Sequence, residues 1–153
     1  MTPKQKIDYM HEILCSEISK YGELILRVKT NSMEPAIHPL DRVVISPCLY
    51  ESLFPGDMVV FKDKSDFIIH RMVSKYVNGK EYIITKGDRS PFFDPPVRFD
   101  KLLGKITGII KFGTGKLIHA DSLWFKILSL LNIVFWIPFS LKYKWRFKTL
   151  WGL

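Results

Sequence analysis

The chain has 153 residues, of which 47% are hydrophobic, and a net charge of +8. That length holds one domain, or one domain with an appendage, and no stretch is low-complexity or visibly repeated. Cys15 and Cys48 form no CxxC pair or disulfide framework, and His11, His38, His70 and His119 are too scattered for a metal motif, so neither metal nor cofactor is expected.

"MTPKQKIDYMHEILCSEISKYG" carries charges throughout and has no uninterrupted apolar core, so it reads as a helix rather than a secretory signal. Ile7, Met10, Leu14 and Ile18 recur at spacings of three and four, predicting an amphipathic helix over residues 1–22, with Cys15 beside the stripe and Gly22 at its end. "ELILRVKT" then reads as a strand reaching Thr30, followed by the β-branched runs "DRVVISP" and "GDMVVFKD", the second opened by a Pro55-Gly56-Asp57 turn. "SDFIIHRMVSKYV" and "KEYIITKGD" predict a hairpin around Asn78-Gly79. "RSPFFDPPVRFD", with three prolines, reads as a surface loop. "LLGKITGIIKF" and "GKLIHA" close the series around Gly113-Thr114-Gly115. Residues 23–120 are thus expected to form a mainly β domain of short strands, with no room for βαβ units.

The charge is concentrated in what remains. Residues 1–100 carry 14 basic and 14 acidic side chains, whereas residues 101–153 carry 9 basic ones against Asp121 alone. "SLWFKILSLLNIVFWIPFSL" approaches the ~20 apolar residues of a bilayer span, although Lys126, Asn132 and Pro138 interrupt it. "KYKWRFK" adds cations alternating with aromatics. Residues 121–153 therefore predict a hydrophobic C-terminal helix, capped at Asp121 or Ser122 and kinked or ended at Pro138. The expected partner is membrane lipid, met through residues 122–148, rather than nucleic acid, whose binding domains spread cations over a folded face. Peripheral attachment to the cytoplasmic surface is favoured over a single span, because the basic end should stay inside and nothing at the N-terminus looks able to export the domain.

Ser32 lies in "TNSMEPAIHPLDRVV", a turn between two apolar runs, where it is either a turn residue or a nucleophile in need of a base. His70 ends the apolar run "FII", Asp88 follows Gly87, and Asp94 sits between Phe93 and Pro95. Singly, each is an ordinary turn or strand-end residue. His38 reads as a turn residue beside Pro39, and Lys62 and Lys64 as members of a solvated charged loop.

Taken in order, "NSMEP", "PGDMVVF", "IIHRMV", "TKGDRSPFFD" and "LLGKI" resemble the successive boxes of the signal peptidase superfamily of serine peptidases, over roughly residues 24–110. The resemblance implies a signal-peptidase/LexA-like β domain in which Ser32 is the nucleophile and His70 the general base. Histidine in that position is similar to the archaeal and endoplasmic-reticulum enzymes; the bacterial signal peptidases and LexA-type repressors use lysine. Asp94 falls where that branch places the carboxylate orienting the histidine, with Asp88 as a supporting or turn-forming group and the alternative orienter. Arg89 and Ser90 replace the usual asparagines, as in short bacterial signal-peptidase-like proteins. Thr30, two residues before Ser32, matches the hydroxyl that helps the nucleophile's own N–H hold an oxyanion. The implied activity is a serine endopeptidase acting on a signal or leader peptide bound in extended form. A catalytically inactive peptide-binding or membrane-interaction protein on the same fold is the alternative.

Overall fold

The computed structural model describes residues 1–64, 66–120, 127 and 131. Helix α1 spans Pro3–Tyr21, and both of its ends are built from local chemistry. Thr2 Oγ1 accepts the Gln5 N–H at 3.2 Å, and Gln5 Oε1 accepts the Thr2 N–H at 2.8 Å, a reciprocal pair that satisfies two otherwise free donors. Gly22 closes the helix at φ 79°, where its N–H donates to the Ile18 carbonyl at 2.8 Å.

The buried face differs from the predicted stripe. Ile7, His11 and Ile18 are buried and Leu14 and Cys15 pack beside them, while Met10 is 40% exposed. At 3.6 residues per turn Met10 falls at the margin of that face and His11 near its centre. The His11 ring is within bonding reach of the Leu102 carbonyl, Nε2 to O 3.3 Å, and stacks at 6.2 Å on Phe67. Burial pushes its pKa below the ordinary histidine value, so the ring is held neutral and Nε2 carries the proton that it donates.

Eight strands follow: β1 Leu24–Arg27, β2 Arg42–Ser46, β3 Met58–Lys62, β4 Phe67–Asn78, β5 Lys80–Lys86, β6 Val97–Arg98, β7 Leu102–Ile110 and β8 Leu117–His119. The protein is mainly β with one N-terminal helix, as expected. Three local expectations are corrected. β1 stops at Arg27 rather than Thr30, because Val28 turns its N–H to the Asp41 carbonyl and its carbonyl to the Leu40 N–H. The proline-rich segment ends in an edge strand: beyond Pro96, which has no N–H to offer, Val97 and Arg98 pair with Ile83 and Tyr82. Lys62 belongs to β3 and pairs with Asp8 of α1 at 2.9 Å, so it lies on an element rather than in a solvated loop.

The strands form one curled antiparallel sheet in the order β1-β2-β7-β3-β4-β5-β6, with β8 also pairing with β7. β3 divides two apolar cores. Met58 and Val60 face one cluster with Val43, Ile45, Ile106 and Ile109. Val59 and Phe61 face the other, with Leu53, Met72 and Ile83. That is why "MVVF" is apolar at every position instead of alternating. β4 outruns β5: its pairing with β5 begins at Arg71, so Phe67–His70 are paired only with β3 among the described residues. β1 likewise pairs only with β2.

The expected C-terminal helix, its cap at Asp121 or Ser122, the break at Pro138 and the basic run to Lys148 lie outside the described residues. Among the described residues no helix is long and apolar enough to cross a membrane.

Candidate active site

Ser32 follows β1 in a turn closed by Glu34 N–H to Asn31 O at 3.2 Å and Ile37 N–H to Met33 O at 3.0 Å. Met33 and Ile37 are 1% and 0% exposed, so the turn is anchored in the core immediately after the serine. Among the described residues Ser32 Oγ has one side-chain hydrogen-bond partner, Thr30 Oγ1 at 3.4 Å, a loose contact. His70 lies opposite Val59 on the central strand pair and edge-on to Phe61, ring centres 6.3 Å apart.

The loop after β5 supplies the carboxylate. Asp94 donates its N–H to the Thr85 carbonyl at 2.8 Å, and its Oδ2 accepts the hydroxyl of fully buried Thr85 at 2.7 Å. The same oxygen lies 2.5 Å from His70 Nδ1. The two side chains are 13% and 22% exposed, shielded enough for that bond to fix the ring while leaving one side open. With Nδ1 directed at Asp94, Nε2 is the nitrogen left for other work.

Asp88 does something else. It accepts Arg71 Nε at 2.8 Å and Nη2 at 2.7 Å, a bidentate pair with both residues buried. Arg71 Nη1 also donates to the Gly56 carbonyl at 2.9 Å, tying the Pro55-Gly56-Asp57 turn to β4. Asp94, not Asp88, stands beside His70.

Gly87 brings the serine turn and the histidine strand together. A methyl group on its Cα would lie 2.9 Å from His70 Nε2, closer than real side chains come, and 3.1 Å from the Ser32 carbonyl oxygen, tighter than most. The free face of the imidazole and the backbone of Ser32 thus share one small space that only glycine leaves empty. The next residues bind the same turn: Arg89 N–H donates to Ser32 O at 3.0 Å, and Arg89 Nη1 reaches Glu34 at 2.6 Å.

Lys86 escaped the sequence reading, in which Lys62 and Lys64 were the lysines weighed. It is buried, pairs along the ladder with Arg71, and donates Nζ to the Gly87 carbonyl at 3.1 Å. Burial lowers its pKa from the ordinary lysine value, partly opposed by Asp88. Its signal was its place as the last residue of an alternating strand, directly before Gly87. His38 is exposed in its turn, where its N–H donates to Asp41 Oδ2 at 2.9 Å. Among the described residues no group of His, Cys, Asp and Glu is arranged to hold a metal ion.

A groove of about 490 Å³ leads away from the site. Leu26–Thr30 line one side, Phe67 and Ile69 another, and Ile7, Met10 and Leu14 of α1 a third. The outer edge of β1 and the first half of β4, each paired on one side only among the described residues, therefore border the same space, with Ser32 two residues beyond Thr30 and His70 one beyond Ile69. No protein-family model matches the chain, and no curated protein matches its sequence.

Proposed function

We propose that the protein is a serine endopeptidase of signal-peptidase/LexA-like type, with Ser32 as nucleophile, His70 as general base and Asp94 as the group that orients it. The observation that carries the reading is the 2.5 Å contact between Asp94 and His70 Nδ1, with Nε2 of the same ring left facing the Ser32 turn across Gly87. In this reaction Nε2 takes the Ser32 proton as Oγ attacks a peptide carbonyl. The Ser32 N–H and the Thr30 hydroxyl hold the oxyanion, and the imidazolium returns the proton to the leaving amine. Water then releases the acyl group by the same route. The loose Thr30 contact leaves Oγ free to swing to His70 when substrate arrives, as uncomplexed sites often require.

The groove supports an extended peptide as substrate. A strand entering it would lie along β1 and the first half of β4, each paired on one side only among the described residues, so that main-chain bonds supply affinity irrespective of side chain. Signal or leader peptides fit that description. Residues 122–148 would place the domain at the cytoplasmic membrane surface, where such leaders are found.

The competing reading is a peptide-binding protein without catalysis, favoured by the contact of Ser32 Oγ with Thr30 Oγ1, its one side-chain hydrogen-bond partner among the described residues. Mass spectrometry of leader-bearing peptides incubated with the protein separates the two. The enzyme should release products at a rate that Ser32→Ala lowers about 10⁴-fold or more, with little further loss on adding His70→Ala. Undiminished cleavage by Ser32→Ala would remove the assignment, and binding without any cleavage would favour the alternative.

A further inference from the structure

We infer that helix α1 is part of the substrate site: Met10, backed by Ile7 and Leu14, forms a remote apolar subsite for one branched or aromatic side chain of the bound peptide. This deepens the peptide-groove reading and rests on it. The groove is lined by strand residues Leu26–Thr30, Phe67 and Ile69 and also by Pro3, Lys6, Ile7, Met10 and Leu14 of the helix. An extended chain advances about 3.3 Å per residue, so one that leaves Ser32 along the β1 edge passes Leu26 after roughly four to six residues. Met10 lines this groove and neither Ser32 nor His70 does, so the helix is met away from the bond that is cut.

Met10 is placed for contact with something other than the core. It sits on the apolar side of α1 yet is 40% exposed, and it lines the groove. Its unbranched thioether adapts to side chains of different outline. The wall behind it is fixed: Ile7 and Ile18 are buried, His11 is bonded to Leu102, and Asp8 is paired with Lys62. Lys29 and Asp66, both in the groove lining, approach at 3.8 Å, and both side chains are largely exposed, so this contact yields readily to an incoming chain.

The test uses full-length Ser32→Ala protein, which cannot consume its ligand, and fluorescence anisotropy of a fluorescein-labelled decapeptide of alternating leucine and serine. Adding Met10→Lys should weaken binding at least tenfold, with thermal stability retained. Tyr9→Lys, on the same helix and 56% exposed but outside the groove, should leave it unchanged. Equal affinity with Met10→Lys, an equal loss with Tyr9→Lys, or no binding of the probe to the Ser32→Ala protein would each overturn the subsite. Cleavage by the protein with Ser32 intact is read separately. Met10-dependent binding without cleavage keeps the subsite and removes the peptidase, while Ser32-dependent cleavage indifferent to Met10→Lys does the reverse.

Discussion

Asp88 and Asp94 are six positions apart in one loop, and their surroundings give them opposite duties. Asp94 contacts His70, so if the protein is the proposed peptidase, Asp94→Asn should leave the fold nearly intact and lower kcat/KM by about 10⁴-fold through the wrong ring tautomer. Asp88 balances a buried guanidinium, so Asp88→Asn should cost about 3–5 kcal/mol of stability, seen as a lower urea midpoint. Measuring both quantities on both variants separates the roles, and the reverse pattern would exchange them. Gly87→Ala is the finer probe. Its new methyl must push away His70 Nε2 or the Ser32 carbonyl, so activity should fall at least tenfold while the melting temperature changes little. Spacing alone left both aspartates open as partners of His70. The choice depends on Thr85, whose hydroxyl and carbonyl hold Asp94 in place, and on Arg71, which occupies Asp88. No local pattern announces either contact.

Among the elements, those with strong local signals were the legible ones. The Gly22 end of α1, the β-branched runs of β2 and β3 and the Asn78-Gly79 hairpin all lie where residue chemistry puts them, whereas the Thr2–Gln5 cap was not read. β6 was not legible, because two residues show no alternation and its pairing depends on the distant Ile83. The groove was hidden for a similar reason: it exists only because curling brings β1 and the first half of β4 to one space. The burial of His11 is likewise tertiary, and it makes the docking of α1 sensitive to acid. A histidine held neutral in the fold has its folded pKa below its unfolded value of about 6.5. Its contribution is complete above that pH and is lost as pH falls from there toward the folded pKa, since the unfolded chain takes the proton first. The urea midpoint should therefore drop between pH 7 and pH 5, and drop less in His11→Asn. Equal drops would show that His11 is not the titrating group.

At the scale of the whole molecule, the chain joins a charge-balanced domain to a strongly basic end. Residues 1–100 cancel in charge, and the excess of +8 belongs to the remainder. If residues 122–148 hold the protein to an anionic surface, alkaline carbonate or high salt should strip it from membranes. Resistance to both would indicate a span, and a protein never found with membranes would dismiss both modes. The open strand edges have a further consequence. An exposed edge normally invites the edge of another molecule and so seeds aggregation. Here the outer edge of β1 and the first half of β4 share a groove of about 490 Å³ whose lining includes α1. Space of that size admits a single extended chain but not the broad sheet of a second folded copy. If a ligand strand is taken up there, the same geometry keeps a second copy off these two stretches, and the outer edge of β6, paired only with β5 among the described residues, is where such contact would have to start.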